Sequence, residues 1–121
     1  MYKAIILLSR RDDMSAEEFR SWWLDEHAPI AAQLPHLRRV TFNLVADSVE
    51  IDGVSELWFD SEADFEAAYS SPIGQSVAAD SLAHLRTRRR LIVTEHLIVD
   101  EREGTTMHVD RPPADQPTTR D

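Results

Sequence analysis

A chain of 121 residues with 42% hydrophobic content has apolar material for one core and hardly for two. Its formal charge of -9 opposes a phosphate backbone, so no nucleic-acid partner is expected. Cysteine is absent, which removes disulfides, thiolate metal sites and cysteine nucleophiles, and no apolar run reaches the roughly 20 residues of a membrane span. With no membrane span and no basic leader ahead of the first apolar stretch, a cytoplasmic location is expected.

From Tyr2 to Ser9 side chains alternate as Tyr2, Ala4, Ile6, Leu8 against Lys3, Ile5, Leu7, apolar on both faces, which predicts a strand covered on both sides. A helix is predicted to begin near Ala16, because Ser15 can cap it while Glu18 reaches back to the Ser15 amide. Phe19, Trp22, Trp23 and Ile30 form its apolar stripe, and Pro29 is expected to break or kink it just after His27. Neighbours on a helix differ by about 100° in direction, so Trp22 and Trp23 are not expected to share the core. One of them, with Trp23 the candidate, is left to reach a ligand or a partner.

The period returns to two from Arg38 to Val45, with Val40, Phe42 and Leu44 opposite Thr41, Asn43 and Val45. Asp52-Gly53 offers a turn, and Val54 to Phe59 reads as a third strand, antiparallel to the second. Asp60 or Ser61 caps a second helix, interrupted by Pro72-Ile73-Gly74 and continued through Val77 and Leu82. The run Arg86 to Arg90 is read as the cationic end of that helix, and the last strand as Leu91 to Val99. Residues 1–100 form the expected domain and 101–121 a polar tail.

Strand, helix, strand, strand, helix, strand is the ferredoxin-like βαββαβ order, an α+β fold with a four-stranded antiparallel sheet and both helices on one face. The uncovered face would be a large apolar patch unless a second sheet packs on it, giving a dimeric α+β barrel with a pocket between the sheets.

The pattern Met14-Ser-x-Glu-Glu-Phe-x-x-Trp-Trp, then His27-Ala-Pro-Ile, Leu34-Pro-x-Leu37 and Glu56-Leu-Trp-Phe-Asp-Ser61 resembles the EthD group of dimeric α+β barrel proteins, which includes methylmuconolactone isomerases. The resemblance implies a homodimer, a pocket inside each barrel, no metal and no organic cofactor. It leaves the reaction open among lactone isomerisation, polyketide cyclisation and cofactor-free oxygenation. The isomerase branch's Tyr and Cys fall at Val40 and Leu57, so only His27 remains of that polar set.

His27 is the candidate acid or base; its plainer reading is a helix-end histidine favoured by the dipole. Glu56 interrupts an apolar strand, and a carboxylate buried there needs a partner. Following the isomerase match, Ser55, Leu57 and Phe59 line the pocket while Glu56 faces the helices and orients His27. Its plainer reading is an edge-strand glutamate bonded to Arg38 or Arg39. Asn43 and His96 join Leu57, Phe59 and Trp23 as substrate-binding candidates, provided their strand faces turn inward; Thr41 is placed on the wet face. His36, His84 and His108 are read as surface residues without a partner at ligand spacing.

The function expected is cofactor-independent acid/base isomerisation, cyclisation or dehydration of a small apolar oxygenated metabolite such as a lactone, quinone or polyketide. The alternatives are a cofactor-free oxygenase, a non-catalytic carrier of a hydrophobic ligand, and a scaffold dimer with a filled interior.

Overall fold

The computed structural model describes residues 1–101, so the expected tail beyond Glu101 lies outside the described residues. Four strands, β1 (Tyr2–Arg10), β2 (Arg39–Leu44), β3 (Gly53–Phe59) and β4 (Leu85–Val93), form one antiparallel sheet in the order β2-β3-β1-β4. This is the ferredoxin-like arrangement predicted from the element order.

β1 pairs Ala4 with Leu57, Ile6 with Ser55 and Leu8 with Gly53. These residues are buried under the helices with Phe19, Trp22, Trp23, Phe65 and Val77. The opposite face carries Lys3, Ile5 and Leu7 of β1, Val54, Glu56 and Trp58 of β3, and Arg39, Thr41 and Asn43 of β2. β1 is therefore apolar on both faces; among the described residues the helices cover one, while on the other Glu95 accepts from Trp58 Nε1 and Lys3 Nζ and leaves Ile5 and Leu7 half-buried.

The first helical segment follows its capping signals. The Ser15 hydroxyl accepts from the Glu18 amide, the Glu18 carboxylate accepts from the Ser15 amide, and α1 (Ala16–Ser21) follows. The chain does not break at Pro29. It widens into a π-helical stretch, Trp22–His27, in which the Ala28 amide donates to the Trp23 carbonyl, and then resumes as α2 (Ala28–Ala31). Pro29 thereby occupies a first-turn position, where its missing N–H and fixed φ are tolerated.

That path also overturns the expectation for the tryptophans, since Trp22 and Trp23 are 4% and 0% exposed. The helix lies between the sheet and a second helix, so both directions are interior. Trp23 stacks on Phe42 of β2 at 4.4 Å between centroids, while Trp22 stacks on His84 at 4.6 Å. Gly53 opens β3 rather than forming the turn, and a Cβ there would sit 2.6 Å from the Trp23 ring. The bare backbone gives that indole room.

Ser61 caps α3 (Glu62–Ser70) as predicted, but the expected interruption at Pro72 is a boundary between two helices: Ser71 caps α4 (Pro72–His84), and Pro72 sits in its first turn. α4 passes directly into β4 at Leu85, so the arginine run belongs to the last strand and not to a helix end. β4 is an edge strand, where charged side chains are tolerated and their stems can lie along the sheet while the guanidinium reaches water. Arg86 pairs with Asp12 at 3.4 Å, and Arg90 lies over the Phe65 ring at 5.0 Å. Residues 94–100 run outside the sheet, with Leu97, Ile98 and Val99 exposed. The predicted last strand is thus displaced: Leu91–Val99 reads as a strand from its composition, but among the described residues only Leu91–Val93 of it pairs with a neighbouring strand.

Candidate acid–base site

The π-helical stretch ends on His27 and turns its ring into the layer between sheet and helices. His27 Nδ1 lies 2.7 Å from Asp80 Oδ2, and the same oxygen accepts from Trp22 Nε1 at 3.0 Å. Asp80 sits on α4, which carries its carboxylate against the π turn. Its other oxygen lies 3.3 Å from Nδ1 of His84, one helical turn on, whose Nδ1 also lies 2.8 Å from the Asp80 carbonyl. A carboxylate at Nδ1 accepts the Nδ1 proton and fixes the tautomer with Nε2 bare. Nε2 has no partner among the described residues.

Burial pushes the His27 pKa below its ordinary value, more than the hydrogen bond and charge of Asp80 raise it, and Arg88 and His84 add to the lowering. The imidazole is therefore neutral near pH 7 and able to accept a proton. His27 borders a small cavity with Ile6, Leu8, Trp23, Ala31, Phe42, Ser55, Leu57, Tyr69, Val77, Ser81 and Arg88. The centre of a water-sized sphere has ≈ 20 Å³ to occupy there, room for about one or two waters. The wall is buried except for Phe42, Tyr69 and Arg88, which are half-buried and form the rim.

Among the candidates from the sequence, His27, Trp23 and Leu57 meet at this cavity. Phe59 is buried deeper in the same layer, against Phe65. Asn43 is exposed on the other face of the sheet, and His96 is exposed beyond β4. The orienting role expected of Glu56 is excluded by the register. Glu56 faces away from the helices, accepts from Thr41 Oγ1 at 2.7 Å and Asn43 Nδ2 at 3.3 Å, and pairs with Lys3 at 3.1 Å. Burial raises its carboxyl, but the bonds from Thr41 and Lys3, the Lys3 charge and Asn43 together hold it below the ordinary value. Ser55 and Leu57 line the cavity as the isomerase match implies, but the cavity lies on the helix side of the sheet, so Ser55, Leu57 and Phe59 face this chain's own helices and Glu56 faces away from them.

Asp80 is the residue the sequence reading missed. The signal was present, since Asp80 and His84 stand at i, i+4, contrary to the reading of His84 as a histidine without a carboxylate at helical spacing. Among the described residues no group of three or more His, Cys, Asp or Glu is placed to hold a metal ion, and no helix is long and apolar enough to cross a membrane.

A family profile described as the EthD domain matches residues 11–86. An uncharacterized 11.0 kDa protein from the thcB-thcC intergenic region of Rhodococcus erythropolis is 29% identical over 84 residues, covering 66% of this chain and 80% of the relative. Among solved structures, an EthD family protein from Bacillus halodurans superposes with a TM-score of 0.71 at 20% identity, covering 79% of this chain and 99% of its own. SnoaB, a cofactor-independent oxygenase from Streptomyces nogalater, superposes with a TM-score of 0.62 at 18% identity, covering 78% and 91%. At these identities the two structures share the fold.

Proposed function

Since the chain belongs to the EthD family, we propose that it is a cofactor-independent enzyme that moves a proton on a small, largely apolar oxygenated metabolite, with His27 as the acid–base group. One observation carries this reading: a buried neutral imidazole in the wall of a mostly apolar cavity, tied by Nδ1 to Asp80 at 2.7 Å, with Nε2 unpartnered among the described residues. Nε2 takes a proton from a carbon next to a carbonyl, and Asp80 stabilises the imidazolium that forms. Return of the proton to a different atom completes an isomerisation, a cyclisation or a dehydration. Substrate entry requires the half-buried rim of Phe42, Tyr69 and Arg88 to move aside, because the cavity as it stands holds only water-sized groups. Asp80, on this reading, is a positioning residue, and Glu56 belongs to the open sheet face.

That face carries Ile5, Leu7, Val54 and Val93, half-buried around the Lys3 and Glu56 pair. In the proposed assembly a second copy of the chain covers it, giving a homodimer.

The test is deuterium exchange at the carbon next to the carbonyl across a panel of lactones, quinones and β-diketones in heavy water, followed by NMR. Exchange accelerated by the wild type and reduced about 10²- to 10⁴-fold in His27→Ala supports the reading. Equal exchange in both proteins, or none with either, overturns it in favour of a ligand carrier. The shared fold with SnoaB favours one second reading, in which the same base ionises a phenolic substrate that then reacts with oxygen. Oxygen consumption that depends on His27 distinguishes it.

A further inference from the structure

β4 brings three arginines toward the helix side of the sheet, and two of them are accounted for. Arg86 is exposed and pairs with Asp12, and Arg90 is exposed over Phe65. Arg88 differs. Opposite Leu8 in the register, it is half-buried, lines the His27 cavity, and has no carboxylate partner among the described residues. Its neighbour on the cavity wall, the Tyr69 hydroxyl, is neutral and does not balance its charge. The carboxylate beside the cavity, Asp80, is already occupied by Trp22, His27 and His84. A half-buried guanidinium at a cavity rim with no anion has given up part of its hydration without a charge in return.

We infer that Arg88 and Tyr69 form an oxyanion site at the cavity rim, and that the metabolite acted on by His27 carries a carboxylate or phenolate that completes it. The guanidinium offers a planar fork of N–H donors matched to a carboxylate. Burial raises the Tyr69 pKa, against the lowering by Arg88 and Arg90, so the phenol keeps its proton and can donate a further bond. An anion held there leaves its apolar body to enter between Leu57, Val77 and Trp23, toward Nε2 of His27. This also gives an acidic protein, with a formal charge of -9, a local positive site for an anionic substrate.

The inference deepens the acid–base reading, but its test needs no turnover. Benzoate and its neutral isostere benzamide are titrated into labelled protein while the Tyr69 and His27 ring resonances are followed. Wild type is expected to prefer benzoate by about ten- to a hundredfold. Arg88→Met should remove the preference, and Arg88→Lys should keep part of it, since the charge survives without the planar fork. His27→Gln should keep the preference while losing the proton exchange described above, so the two readings fail separately. A preference that survives in Arg88→Met, or a wild type that does not discriminate the two probes at Tyr69, overturns the site.

Discussion

Replacing Asp80 with Asn tests the dyad without requiring a substrate. Trp22 Nε1 and His27 Nδ1 converge on one carboxylate oxygen, at 3.0 and 2.7 Å, so an Asn carbonyl placed there can accept both bonds. What the substitution removes is the charge. Hydrogen bonds to a charged group contribute about 1.5–3 kcal/mol against about 0.5–1.5 for neutral ones, roughly 1 kcal/mol lost per bond. The carboxylate is 23% exposed, so partial screening brings two bonds to about 1–2 kcal/mol in total. The contact to His84 at 3.3 Å adds little, because His84 also lies at hydrogen-bond distance from the Asp80 carbonyl. In a domain of this size the midpoint of thermal unfolding should fall by roughly 5–10 °C. The His27 pKa should fall further as well, because the Asp80 bond and charge are what oppose its desolvation. Calorimetry and NMR titration of the His27 ring measure both effects. A variant as stable as wild type, or a His27 titration that stays in place or moves up, would refute the account of the dyad.

Two further outcomes follow from the same packing. Gly53→Ala places a methyl 2.6 Å from the Trp23 ring and 3.1 Å from Phe19, both fully buried, and should cost about 1–3 kcal/mol in urea unfolding while disturbing indole fluorescence; an unchanged midpoint would contradict the close approach. Because His27 titrates below its unfolded value of 6.5, the unfolded chain binds the extra proton first, so stability is level above about pH 6.5 and declines as pH falls toward the folded pKa. His27→Gln should flatten that decline between about pH 6.5 and pH 5, above the range in which Glu56 and Glu95, both held below their ordinary values, begin to protonate. A wild type with no such decline would show that His27 is not held neutral by the fold.

Much of the fold was legible because its signals are local. A serine three residues before a glutamate nucleates α1, Pro72 opens α4, and alternation marks β1 and β3, each within a few residues of chain. The site was legible only in part. His27 stood out, but its partner lies 53 residues away on another helix, and the one local hint, Asp80 with His84, pointed at the surface histidine rather than the buried one. The role assigned to Glu56 failed for a different reason. Alternation says that Glu56 and Leu57 face opposite ways but not which way the helices lie, and β1 is apolar on both faces, so parity alone had no reference.

The sequence by itself determined the order of elements, their caps and the helix that bears His27, because hydrogen-bonding ends and apolar periods act over short stretches of chain. Only the tertiary structure decided where that helix points. The π turn at Trp22–His27 and the packing of α4 against it bury both tryptophans, bring Asp80 to Nδ1 and set His27 in the cavity wall. The boundary of β4 was a tertiary decision too. An arginine-rich stretch becomes a strand when β1 offers it unpaired backbone groups, and an apolar stretch beyond Val93 does not when no described strand pairs with it.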